Sequence, residues 1–212
     1  MPDAMTAEVR AAPTMRREPL GVRLSGRGGQ GVMLAGAIFA TAAMYDGRHV
    51  VETPTYGPEA RLGATKVEIV LSEHEIAFPA VEKADLLLCL SRDAYVKYGR
   101  AVAPDALVVV DETALPTSAD LPPGLVRLPL RAVARELGAE MVTNVLALGA
   151  IVGLSDAVSS RSLERAVEEA VRGKDELREV NRRALQAGLD LGRAGRAAGG
   201  GWAGGRAAVR RD

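Results

Sequence analysis

The sequence predicts an α/β chain: a mostly parallel sheet flanked by helices in three layers, with further helices toward the C-terminus. Short runs of Val, Leu and Ile alternate with helix-patterned segments, the order of a sheet whose strands are joined by crossover helices. Some of those runs are apolar without interruption, Leu86-Leu87-Leu88-Cys89-Leu90 above all, as strands buried on both faces are. Two Phe, one Trp and four Tyr in 212 residues leave the core to Val, Leu, Ile and Ala, which suits a buried parallel sheet.

The elements follow in order. Residues 1–19 mix Pro2, Pro13 and Pro19 with scattered charges and are expected to be a disordered leader. Gly21 to Ser25 is the first strand. After a glycine cluster, Val32, Ala35, Phe39 and Ala43 fall near helical spacing, so a helix should run to about Asp46, with Gly47 as C-cap. His49 to Glu52 is the second strand and completes a βαβ unit, for which a right-handed crossover is expected. Residues 53–64 hold two prolines and two glycines, a long loop of the kind that carries function. Thr65 to Leu71 alternates polar and apolar and reads as a half-exposed strand; Ile76 to Pro79 reads as a short return strand.

Asp85 to Leu90 is placed as a central parallel strand. Ser91 caps a short helix through Tyr98, with Gly99 after it. Ala106 to Val110 is a buried strand ending at Asp111. Residues 116–124, with three prolines, are loop, and Leu125 to Leu128 is an edge strand. Pro129 suits the first turn of a helix over 130–137, ended by Gly138. Residues 143–153 are apolar nearly all round, which predicts a buried helix. Ser160-Arg161-Ser162-Leu163-Glu164 offers a cap before an amphipathic helix, and 175–191 holds another. The folded domain is therefore 20–191. Residues 192–212, mostly Gly, Ala and Arg with Trp202, are expected to be a disordered tail.

Composition narrows the function. A formal net charge of zero argues against a nucleic-acid or membrane-surface partner. No apolar run reaches membrane-spanning length and nothing resembles a signal segment, so a cytoplasmic location is expected. The one cysteine, Cys89, cannot alone form an internal disulfide, a zinc site or an iron–sulfur site, and reads as a small buried hydrophobe. His49 and His74 are isolated and read as ordinary strand or surface residues. No acid/base pair is evident, so the chain by itself should be inactive.

The candidate chemistry gathers at Gly26-Arg27-Gly28-Gly29-Gln30-Gly31. Strand, glycine turn and helix in that order turn backbone N–H groups of a helix start toward a ligand above the strand end, and a phosphate is the natural occupant. Gly26, Gly28 and Gly31 also satisfy G-x-G-x-x-G. Glu52 lies where a Rossmann dinucleotide site places its ribose-binding acid, so a free-standing NAD or FAD oxidoreductase is one reading. Arg27 inside the turn and the Gln30 amide at the helix start fit that reading poorly. A third reading gives the glycines only close strand–helix packing.

The turn, together with Tyr56-Gly57-Pro58-Glu59-Ala60-Arg61-x-Gly63 and the strand Val67 to Ser72, resembles the gamma subunit of 2-oxoacid:ferredoxin (or other acceptor) oxidoreductases. Asn144-Val145-x-Ala147-Leu148-Gly149-Ala150 and Asn181-x-x-Ala184-Leu185-x-x-Gly188 match that family's C-terminal helices. One departure is Leu62: members usually read Arg-Gly-Gly, and here the run is Arg61-Leu62-Gly63. The resemblance implies a subunit of an enzyme that decarboxylates a 2-oxoacid, passes electrons to ferredoxin and makes an acyl-CoA. Thiamine diphosphate, Mg2+ and 4Fe-4S clusters would belong to alpha, beta and ferredoxin-like partner subunits, and this chain alone would bind no cofactor. It would instead help to shape the CoA side of the active site and the subunit interface. The expected contacts are Gly26, Arg27, Gly28, Gly29, Gln30, Gly31, Tyr56 and Arg61, with no catalytic or metal-binding residue. Arg27 and Arg61 could equally form subunit-interface salt bridges, with Glu59 the local partner of Arg61. Asn144 and Asn181 are read as helix contacts or caps. The Tyr-Gly-Pro-Glu loop favours 2-oxoglutarate over pyruvate or a branched-chain oxoacid.

Overall fold

The computed structural model describes residues 18–55, 63–115 and 124–200. The elements are β1 (Leu20–Arg27), α1 (Val32–Tyr45), β2 (His49–Thr55), β3 (Ala64–Ser72), β4 (Ala84–Cys89), α2 (Arg92–Tyr98), β5 (Val102–Asp111), β6 (Leu125–Leu128), α3 (Leu130–Glu136), α4 (Thr143–Ser155), α5 (Ser160–Ala170) and α6 (Asp175–Gly195). Short 3-10 turns span Glu112–Ala114 and Glu140–Val142, and a π-helical turn, Arg196–Gly200, follows α6. Among the described residues no helix is long and apolar enough to cross a membrane.

The six strands lie in the order β2-β3-β1-β4-β5-β6. β1, β4, β5 and β6 are mutually parallel, and only β3 runs the other way, pairing antiparallel with both β1 and β2. The expected βαβ unit is therefore split. β1 and β2 point the same way, but β3 is inserted between them, so the crossover through α1 skips one position. β3 reaches its place directly from β2, because an antiparallel neighbour needs only a loop at the shared end. No strand forms at 76–79: that segment is irregular, with Phe78 exposed. α6 continues past the expected end at 191, because Gly192 and Gly195 are buried against α4 and β6 rather than belonging to a tail.

The alternation of β1 explains the layers. Leu20, Val22 and Leu24 face a core shared with α1, α3, α4, α5 and α6. Gly21, Arg23 and Ser25 face the other side, where among the described residues the cover is only α2, the turn Glu112–Ala114 and adjoining loops. α4 and α6 meet through four glycines. A Cβ on Gly149 or Gly153 would lie 2.5 Å from the Leu185 or Leu189 carbonyl, and one on Gly188 or Gly192 would lie 2.0 or 2.2 Å from that of Leu146 or Ala150. The backbones touch there, which is why α4 can be apolar all round and still be buried.

Candidate functional site

β1 and β4 run side by side, Val22 to Ser25 against Leu86 to Cys89. The chain leaves β1 into α1 on the first face of the sheet and leaves β4 into α2 on the second. The carboxyl ends of these two strands thus open a crevice at the topological switch point, the place where open α/β sheets bind ligands.

The glycine turn forms one wall. Gln30 fastens it at both ends of its amide: Oε1 accepts the Arg27 N–H (2.6 Å), and Nε2 donates to the Leu90 carbonyl at the end of β4 (2.9 Å). Gly26 makes room for that amide, since a Cβ there would sit 2.8 Å from Gln30 Oε1 and 2.9 Å from Val32 Cγ2. Gly31, the N-cap of α1, has φ 70, the left-handed region. Asn144 of α4 packs against it and donates from Nδ2 to its carbonyl (3.3 Å). Gly28 and Gly29 are exposed, and a Cβ on Gly29 (φ 89) would meet nothing within 4 Å. No side chain caps α1 and no carboxylate lies in its first turn, so its positive end is left to an external anion.

Arg27 crosses the crevice to Asp93 in the first turn of α2 (2.7 Å), an ion pair with both side chains about half exposed. Asp93 carries no signal in the sequence beyond its place in a helix start, and the sequence-level expectations do not include it. Ser91 caps α2 as expected, accepting the Ala94 N–H (3.3 Å). The next strand end is closed internally: buried Asp111 accepts the N–H groups of Thr113 (3.0 Å) and Arg131 (2.8 Å), tying β5 to α3.

Glu52 does not reach this crevice. It pairs with Ile69 on β3, which pairs with Val22, so Glu52 is level with the middle of β1 and one strand removed from it. Its carboxylate packs over Gly36 of α1 and burial raises its pKa. The acid of a dinucleotide site is therefore not at the turn, because β3 occupies the place where β2 would deliver it. Tyr56, Glu59 and Arg61 lie outside the described residues. The residues flanking them, Thr55 and Ala64, are at the same sheet edge as the turn, Ala64 opposite Arg27.

The other candidates have structural partners or lie elsewhere. His49 is exposed and pairs with Ser72 at the far edge of the sheet; His74 is exposed just beyond it. Asn181 donates to Leu177 in its own helix (2.8 Å). Cys89 is buried beside Ser25, and burial pushes its thiol up to about 12. Sequence reading missed Arg23, a buried charge on β1. Its guanidinium meets Glu68 Oε1 (2.6 Å) and donates to the carbonyls of Ala101 (2.7 Å) and Val81 (2.6 Å). The signal was available: Arg and Glu each interrupt an apolar strand, and the two strands pair. Among the described residues no three His, Cys, Asp or Glu side chains are grouped to hold a metal ion.

A family model described as pyruvate ferredoxin/flavodoxin oxidoreductase matches residues 21–191. The chain is 42% identical over 161 residues to the 2-oxoglutarate synthase subunit KorC of Methanocaldococcus jannaschii, covering 74% of this chain and 84% of that protein. The gamma subunit of a keto/oxoacid ferredoxin oxidoreductase from Geobacter sulfurreducens superposes with a TM-score of 0.76 at 33% identity, over 84% of this chain and 99% of that one. A 2-oxoglutarate:ferredoxin oxidoreductase from Magnetococcus marinus, solved with 2-oxoglutarate, coenzyme A and succinyl-CoA bound, shares the fold. Its TM-score is 0.74 at 22% identity, over 84% of this chain and 32% of that longer one.

Proposed function

Since the chain belongs to the pyruvate ferredoxin/flavodoxin oxidoreductase family, we propose that it works as the gamma subunit of a cytoplasmic, thiamine-diphosphate-dependent 2-oxoacid:ferredoxin oxidoreductase. The complex would oxidatively decarboxylate 2-oxoglutarate in preference to pyruvate or a branched-chain oxoacid, yielding the acyl-CoA and reduced ferredoxin. The preference rests on the identity to a 2-oxoglutarate synthase subunit. Alpha and beta subunits would hold the thiamine diphosphate and Mg2+, and a ferredoxin-like subunit the 4Fe-4S clusters.

The observation that carries this chain's share is the crevice between β1 and β4, with an uncapped helix start on one side and open space above Gly29. CoA presents a pyrophosphate and a ribose phosphate to such a site. The N–H groups beyond Gly28 and Gly29 would take a phosphate oxygen, with the positive end of α1 behind them. Gly26, Gln30 and Gly31 would hold the turn in the shape that exposes those donors. Arg27 would exchange Asp93 for the phosphate, a charge-assisted bond for a charge-assisted bond. Tyr56 and Arg61 would be further contacts to the ligand. The chain would thereby bind and orient CoA while its thiol accepts the acyl group on the neighbouring subunits.

The test is the CoA dependence of the reconstituted complex. Arg27→Ala should raise the KM for CoA about fivefold with kcat nearly unchanged, the pattern of lost uniform binding worth ~1 kcal/mol at an exposed site. Gly28→Val should raise it further by blocking close approach of the backbone. An unchanged KM in both variants would remove the turn from the CoA site.

A further inference from the structure

The two faces of the sheet are covered unequally. Five helices pack on the first; α2 alone lies on the second among the described residues. The outer side of α2 is unusual in charge. Its inward residues are Ala94 and Tyr95, while Arg92, Asp93, Val96 and Lys97 are exposed, with Arg100 just beyond the helix. Arg92, Val96 and Arg100 are four residues apart and form one stripe, a 68% exposed valine between two arginines. The single carboxylate in the stretch, Asp93, is bound to Arg27. Arg92 and Arg100 make no ion pair among the described residues.

The layer beneath adds to the positive field. The Tyr98 ring has Arg23, Lys66 and Lys97 at 5.9, 5.8 and 5.7 Å from its centroid. Arg23 and Lys66 share one carboxylate oxygen, Glu68 Oε1. Several exposed arginines elsewhere are paired close by in sequence: Arg172 with Glu169, Arg178 with Asp175, Arg182 with Glu179 and Arg193 with Asp190. α2 combines cations in excess of its one carboxylate with an exposed apolar centre. Arginine around a small apolar contact is the composition of a protein–protein contact rather than of a solvated surface.

Resting on the reading of the chain as a subunit, we infer that the outer face of α2 docks an acidic patch on the thiamine-diphosphate subunits of the same complex. That patch presents Asp or Glu side chains to Arg92 and Arg100 around an apolar contact with Val96. The chain's net charge of zero makes this a local device and not a general attraction to polyanions.

The experiment titrates the purified chain against the purified pair of thiamine-diphosphate subunits at low and high salt. Wild-type affinity should fall as salt rises. Arg92→Glu/Arg100→Glu, checked for native circular dichroism, should raise Kd roughly tenfold or more at low salt and lose the salt dependence. Arg172→Glu, on the opposite layer, should match wild type. The inference is overturned if the double variant keeps wild-type affinity and salt dependence, or if Arg172→Glu weakens binding equally. It is also overturned if the variant complex assembles normally and only the KM for soluble ferredoxin rises. A wild-type chain that did not bind the pair at either salt concentration would instead overturn the subunit reading itself.

Discussion

Gly31→Ala tests how the crevice wall is built. At φ 70 an L residue pays about 1–2 kcal/mol for the left-handed conformation. The new methyl would also stand 2.5 Å from Asn144 Nδ2, so the amide must turn away and its bond to the Gly31 carbonyl is lost. That bond is worth about 1 kcal/mol, giving a total near 2–3 kcal/mol. For a chain of this size the corresponding fall in Tm is about 4–12 °C. Asn144→Ala removes the same bond and the acceptor of the Val145 N–H, for about 1–2 kcal/mol. Because the shared bond can be lost only once, the double variant should be about 1 kcal/mol less destabilised than the sum of the two singles. Urea unfolding of the four proteins measures this directly. Additivity to within about 0.3–0.5 kcal/mol would show that Asn144 does not hold Gly31. A neutral Gly31→Ala would show that the turn is not left-handed there.

Three further outcomes are expected. Gly188→Ala should lower Tm: its methyl would lie 2.0 Å from the Leu146 carbonyl, a backbone atom, so α4 and α6 must part. The overpacking cost, near or above about 3 kcal/mol, exceeds the ~1 kcal/mol that alanine gains over glycine in a helix, and an unchanged or higher Tm would refute the contact. Arg23→Met should cost about 3 kcal/mol in chemical denaturation, because Glu68 and two carbonyls lose a buried donor, and Arg23→Met/Glu68→Met should recover part of it. Cys89 sets a pH dependence: its thiol is raised from an ordinary 9.0 to about 12 in the fold, so above pH ~9 the native state binds more protons than the unfolded one. Stability should therefore fall with rising pH across that window, and urea midpoints of Cys89→Ala should fall less steeply than wild type.

Much of the sheet was legible because burial on both faces leaves a continuous apolar run. β4 and β5 show this, and Asp111 and Ser91 mark where such runs stop. The Ser91 cap was visible for the same local reason. The antiparallel insertion of β3 was not, because a half-exposed alternating strand reads alike whichever neighbour it pairs with; only register distinguishes them. The false strand at Ile76 to Pro79 is of the same kind, since four apolar-leaning residues beside a turn have no periodicity to test. The end of α6 was hidden because Gly192 and Gly195 resemble a tail in composition. Their burial depends on α4, which lies forty residues earlier. Within the site, the glycines were legible as a turn. The division of work among them was not, since Gly26 serves Gln30, Gly31 serves Asn144, and only Gly28 and Gly29 are left facing outward.

The inserted strand also removes one part of the dinucleotide geometry that a G-x-G-x-x-G turn allows. In a dinucleotide site the strand beside β1 ends in a carboxylate aimed at a ribose. Here the strand beside β1 is β3, which runs the other way and places Lys66, Thr65 and Ala64 at that edge, opposite Ser25, Gly26 and Arg27. Glu52 is set back along β2 with a whole strand between it and the turn. A cation, Lys66, thus stands near the edge where an NAD-type site needs an acid. Among the described residues that edge offers no carboxylate to a ribose hydroxyl at the turn. Exchanging Lys66 for an acid would not restore a ribose site, because it would place a second carboxylate beside Glu68, which already holds Arg23 and Lys66 together.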